Sequence, residues 1–323
     1  MTESTVFADR IRERYPEGLT GIFAPGGTRT TFILERQRNQ ENPGLIPDFT
    51  EYTDYAFTRL FDLIETFFEL GCQNLVIPLF SYQGFYERGE EYREQAARMC
   101  LRVIDDAKID FYQRHEIDPY LVGIDTLLHL PQDQFAHQLG REFEDFNHQW
   151  PYQDGRRRII WEVAPIPLYS FWRAHEVMSE SERAAFETTL RQSTDLQEMH
   201  DLLYRYYARA VYGTDLPMPH FYLGSNRNGD IKVRSMLPMA MVCGGPFRMF
   251  FTPYPSLYLT QETLQSMLED LAFGKPLRST KTDYSGQVTG DLLEIERQRI
   301  VQLSTDPAST LGMVRRIQRQ PSN

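Results

Sequence analysis

NLVIPLFS, residues 74–81, is the stretch that decides the fold class. It is short and almost wholly apolar, with no polar–apolar alternation. A strand with one wet face alternates, whereas a strand covered on both faces does not. The stretch therefore predicts a strand inside a parallel sheet with helices on both sides. Upstream, Tyr52, Ala56, Leu60, Leu63 and Phe67 recur at spacings of three and four within 52–70, the pattern of one buried helix face. Gly71 follows in a C-cap position.

Working outward, residues 19–24 read as a first strand and RQRNQENPGLIPDFT (36–50) as a polar surface loop. Downstream, a helix is expected over 88–115, a strand at PYLVGI (119–124) and a helix over 131–148. RRIIWEVA (157–164) reads as a strand and 180–210 as a helix, followed by strands FYLG (221–224) and FRMFF (247–251) and a helix over 260–272. Strands alternating with helices predict a single α/β domain over 1–323. Its mainly parallel central sheet would be covered by helices on both faces, with a polar tail from about 305.

Composition narrows the function classes. The 323 residues are 41% hydrophobic, enough for a large core, and 21 Phe and 18 Tyr suit an apolar cavity as well as a core. A net charge of -11 with no basic stripe argues against nucleic acid as a partner. Cys72, Cys100 and Cys243 form no CxxC pair, which suits a reduced, cytoplasmic protein. MTESTVFADRIRERYPEG (1–18) has no apolar h-region, so no signal peptide is expected. The longest apolar tract, MLPMAMVCGGPFRMFF (236–251), is broken by Pro238, Pro246 and Arg248, so no membrane span is expected.

The chemistry is sought where strands end. IFAPGGTRTTFILE (22–35) runs from an apolar strand into Gly26, Gly27, Thr28 and Arg29. Glycine-rich turns admit oxyanions because no Cβ keeps backbone N–H groups away from them. Neither GxxxxGK[ST] nor GxGxxG is present, so this is no ordinary nucleotide loop. Arg88 follows NLVIPLFS, and Arg227, Lys232 and Arg234 follow FYLG. Ligands of α/β sheets bind at the carboxyl ends of strands, and a diphosphate needs several cations there. Tyr52 and Tyr55 stand close to the same edge in sequence order. Each is either a core aromatic or a π-face and phenol that stabilise a cation or orient a water.

Other motifs fall away. IDDAKID (104–110) carries Ile109 where a metal-binding aspartate box needs its third acid, and Asp106 and Asp110 read as a solvated helix face. DxDD, HExxH, HxxxH and GxSxG are absent.

Together, GIFAPGGTR, the aromatic helix, ELGCQNLVIPLFS and the arginine beyond it resemble the cis-prenyltransferases, the undecaprenyl diphosphate synthase fold. The likeness is closer to the tuberculosinol synthase and tuberculosinyl transferase branch. GTRTTFILE resembles that branch's GTRRWFHLE, and ERGEEYREQA, DFYQRHE, FFTPYPSLYLTQETL and the DYS at 283–285 have counterparts. It covers roughly residues 19 to 285, less closely over 150–245.

The resemblance implies an enzyme that ionises an already cyclised, clerodane-type diterpenyl diphosphate and lets water attack the tertiary allylic carbon. By position, Gly27, Thr28, Arg29 and Arg88 would hold the diphosphate and Tyr52 would be the active-site tyrosine; Gly26 is taken with the diphosphate loop, and Arg29 and Tyr55 are further candidate catalytic residues. The family places an aspartate directly before Gly-Thr-Arg to help hold magnesium diphosphate, and here that position is Gly26. Magnesium thus stays open as a cofactor. Asp54, Glu35 and Asp230 are alternative acids among which the sequence does not choose. A homodimer and a DxDD-type cyclase supplying the substrate are also implied. Two further readings stand beside this one: terpenyl transfer to a nucleoside or other small acceptor, and a non-catalytic partner subunit.

Overall fold

The computed structural model describes residues 3–40, 46, 48–80, 90–163, 166–225, 233, 247–274 and 290–305. Its centre is a six-stranded, all-parallel sheet formed by β1 (Leu19–Ala24), β2 (Cys72–Phe80), β3 (Ile117–Val122), β4 (Arg157–Val163), β5 (Phe221–Ser225) and β6 (Arg248–Thr252). The strand order is β3-β4-β2-β1-β5-β6, so β1 and β2 lie in the middle. Continuous apolar runs are what such a buried position demands, and β1 is buried at every residue.

Side chains alternate between two cores. Leu19 and Phe23 of β1, with Ile159, Trp161 and Val163 of β4, face a phenylalanine-rich cluster built on α3 (Phe49–Glu69). Ile22, Ala24, Val76 and Ile160 face a tyrosine-rich cluster on α10 (Leu196–Tyr212). Gly21 is dictated by this packing, because a Cβ there would come 2.0 Å from the Phe221 ring. No helix among the described residues is long and apolar enough to cross a membrane.

Several expected elements are corrected. The helix over 88–115 is broken: α4 (Glu90–Cys100) passes into a 3-10 turn at Leu101–Ile104, and α5 (Asp106–Arg114) starts afresh. The break is at Asp105, whose extended backbone (ψ 161) lets its carboxylate accept the Lys108 N–H at 3.0 Å. Residues 88 and 89 lie outside the described residues. Strand 119–124 instead begins at Ile117 and stops at Val122, where Gly123 opens the short α6 (Ile124–Leu128). The helix over 131–148 is α7 (Phe135–Gln149).

The helix over 180–210 is two helices, α9 (Glu180–Gln192) and α10, separated where Asp195 caps the second one. The loop expected over 36–50 is helical at both ends, and its residues 41–45 and 47 lie outside the described residues. A π-helical turn occupies Ile33–Gln37, and Asp48 accepts the Thr50 and Glu51 N–H groups to start α3. Helices α1 (Glu3–Arg14), α8 (Pro167–Val177) and α12 (Gly290–Thr305) have no counterpart in the sequence reading, while 260–272 is matched by α11 (Gln261–Phe273).

Candidate active site

The site grows from the carboxyl end of β1. After Ala24 the chain turns through Pro25, Gly26 and Gly27 and enters α2 (Thr28–Phe32). Gly27 has φ 72, a left-handed conformation that costs a side chain energy, and a Cβ there would also meet Pro255 at 3.0 Å. Gly27 and Arg29 are exposed, and Gly26 and Thr28 are half-buried. The Thr31 N–H closes the first turn on the Gly27 carbonyl at 3.0 Å.

Helix α3 brings the aromatic residues to this loop. Tyr52 is 8% exposed, and its hydroxyl shares a 2.7 Å hydrogen bond with the Thr28 hydroxyl. The Phe32 ring lies edge-on to Tyr52 at 5.5 Å and to Tyr55 at 5.7 Å between centroids. Arg36 sits over the Tyr55 ring at 5.7 Å. Burial, and next the Glu35 carboxylate, push the Tyr55 phenol pKa up. Tyr52 thus meets Thr28 directly, and Tyr55 stands beside it across the Phe32 ring. Arg88, Arg227, Lys232 and Arg234 lie outside the described residues.

The loop is held from beyond β6 by residues the sequence reading did not single out. The Gly26 N–H donates to the Ser256 hydroxyl at 3.0 Å, and the Ser256 N–H donates to the Gly26 carbonyl at 2.9 Å. A Cβ at Gly26 would stand 3.1 Å from Ser225 Cβ of β5, a tight approach at the position where the resemblance expects a carboxylate. The Tyr258 hydroxyl donates to Glu35 at 2.6 Å, and that bond, with partial burial, pushes its pKa up to about 12. These contacts join residues more than two hundred apart in the chain. The one available signal was FFTPYPSLYLTQETL (250–264), the stretch that carries part of the family resemblance.

Glu35 is bonded to Tyr258, and Asp54 pairs with Arg102, while Asp230 lies outside the described residues. Among the described residues no three His, Cys, Asp or Glu side chains come together.

No family model matches the chain. Among solved structures it resembles the lavandulyl diphosphate synthase of Lavandula x intermedia, in complex with dimethylallyl diphosphate. The TM-score is 0.50 at 14% identity, over 79% of this chain and 95% of that one. The fold is that of the cis-prenyltransferases, an α/β fold on a parallel sheet. Within it the chain is similar to the tuberculosinyl adenosine transferase of Mycobacterium tuberculosis, with 25% identity over 293 residues, 90% of this chain and 86% of that protein. It is also similar to the (+)-kolavelool synthase of Herpetosiphon aurantiacus, with 21% identity over 258 residues, 79% of this chain and 74% of that one. Both relatives are of the kind to which the resemblance of GTRTTFILE points.

Proposed function

We propose that the chain is a diterpene synthase that converts a bicyclic, clerodane-type diterpenyl diphosphate, kolavenyl diphosphate being the model, into a tertiary alcohol such as kolavelool. The observation that carries this reading is the 2.7 Å contact between Thr28 and Tyr52. It couples a glycine–threonine–arginine loop suited to an oxyanion to an aromatic helix suited to a carbocation. The similarity to a kolavelool synthase supports the substrate class.

In the proposed reaction the allylic C–O bond breaks and its electron pair leaves with the diphosphate. Arg29, with backbone N–H groups around Gly27 and Thr28, stabilises the departing charge. The allylic cation lies against the Tyr52 and Tyr55 rings. Water then attacks the tertiary carbon, a C–O bond forms and a proton is lost, so the sum is substrate plus water to alcohol plus diphosphate. In this reading the Thr28–Tyr52 hydroxyl pair, bonded at 2.7 Å, orients that water. A cyclase that makes the bicyclic diphosphate must act first.

A second reading has one observation in its favour: the similarity to a tuberculosinyl adenosine transferase extends over more of the chain. There a nucleoside nitrogen, rather than water, would capture the cation. Both are tested by incubating the purified chain alone with kolavenyl diphosphate, with and without adenosine, and following released diphosphate and product. The synthase reading expects tertiary alcohol at a rate adenosine leaves unchanged. Product formed only with adenosine would replace it with the transferase. No diphosphate release under either condition would leave only the non-catalytic partner.

A further inference from the structure

The segment TPYPSLY (252–258), which leaves β6 and contains a 3-10 turn at Ser256–Tyr258, is bonded to several separate parts of the site. Ser256 is 1% exposed and clamps Gly26 in both directions, accepting from its N–H at 3.0 Å and donating its own N–H to its carbonyl at 2.9 Å. Pro255 lies against Gly27. The Leu257 carbonyl accepts from Arg59 of α3 at 3.4 Å, and Tyr258 bonds Glu35 at 2.6 Å. The base of the segment is fixed too, since the Ser225 and Thr252 hydroxyls both donate to the Tyr254 carbonyl at 2.8 Å. One strap thus grips the loop at its start, the turn following α2 at Glu35, and the helix that carries Tyr52.

A glycine pair has wide backbone freedom and no side chain with which to anchor itself. An anion loop made of one gains affinity only if something else fixes it beforehand, because ordering on binding subtracts from affinity. The strap meets that need at the position where Gly26 has no side chain. We propose that Ser256 is a positioning residue of this active site, holding Gly26 so that the loop is set for a diphosphate and Thr28 stays in register with Tyr52, with Tyr258 as the second fixed point through Glu35. The proposal rests on the reading that the loop binds diphosphate.

Ser256→Ala removes the acceptor while keeping the volume nearly constant, and Ser256→Thr restores a hydroxyl. Binding of inorganic diphosphate by calorimetry, turnover of kolavenyl diphosphate and the alcohol-to-diene ratio are measured on both, beside Arg29→Ala. Melting temperatures are taken on the same samples. Ser256→Ala is expected to weaken diphosphate about tenfold, lower kcat and shift product toward diene, since a misaligned water loses to proton loss. Ser256→Thr is expected to recover most of the binding. Tyr258→Phe, which keeps the ring, should move kcat and product in the same direction by a smaller factor, and it decides the matter if Ser256→Ala does not fold. Wild-type binding and product ratio in Ser256→Ala, with Arg29→Ala unable to bind diphosphate, would overturn the strap alone. Unchanged binding in Arg29→Ala would overturn the loop reading and the strap with it.

Discussion

The two ends of β1 carry polar groups in opposite states. At the amino end Thr20 is fully buried and closed in by its own chain. Its hydroxyl accepts from Asn74 at 3.0 Å, its N–H donates to His220 Nδ1 at 3.2 Å, and its carbonyl accepts the His220 N–H at 2.8 Å. The Tyr15 ring covers His220 edge-on at 4.5 Å. At the carboxyl end, only three residues beyond Phe23, Gly26 is clamped by Ser256, yet Gly27 and Arg29 are exposed. A buried polar cluster with every partner internal holds two strands together and has nothing to offer a ligand. Polar groups fixed from behind and open in front are what an oxyanion site requires. In a parallel sheet the open end is also the ligand end.

The contrast gives predictions of unequal size. The largest concerns Arg29→Ala, expected to lower kcat/KM on kolavenyl diphosphate by about 2–4 kcal/mol in the transition state. Because Arg29 is exposed, its melting temperature should not move. Arg88→Ala, assigned through the resemblance, is expected to behave alike. Near-normal rates in both would erase the distinction between the ends. At the other end Asn74→Ala leaves the buried Thr20 hydroxyl without its side-chain donor. It should cost about 1–3 kcal/mol in chemical denaturation while the folded enzyme keeps its kcat. A kcat loss with intact stability would place that network in the reaction instead.

The smallest effect is on pH. Burial, the dominant cause, lowers the His220 pKa below its ordinary value, so the unfolded chain takes up the proton first on acidification. Stability should therefore be fully present above about 6.5 and fall as the pH drops from there toward the folded pKa. His220→Asn, tested by urea denaturation at pH 7.5 and 5.5, should flatten that slope. An unchanged slope would show that other groups set it.

The sequence disclosed what is local. Apolar runs without alternation marked the strands, and the three–four spacing of Tyr52 to Phe67 marked α3, because burial on both faces leaves a direct compositional trace. Helix breaks were lost where an acidic cap sits inside a helix-like run. Asp105 and Asp195 are polar residues that also suit an exposed helix face, and only their hydrogen bonds to Lys108, Gln197 and Glu198 reveal them as starts. Helix α8 opens on Pro167 and leaves Leu168 and Trp172 exposed, so it lacks the one-sided pattern. In the site, the loop and Tyr52 were legible from motif and resemblance. Ser256 and Tyr258 were not, since their role depends on a bond that closes across the fold and leaves no local periodicity.

The most direct test of the central claim follows the oxygen. Kolavenyl diphosphate is turned over by the purified chain in water enriched in oxygen-18, and the alcohol and the released phosphate species are analysed by mass spectrometry. Carbon–oxygen cleavage followed by capture of water predicts one unlabelled inorganic diphosphate for each tertiary alcohol, with the label in the alcohol. An unlabelled primary alcohol with label in phosphate or diphosphate would mean phosphorus–oxygen cleavage, and would contradict the account.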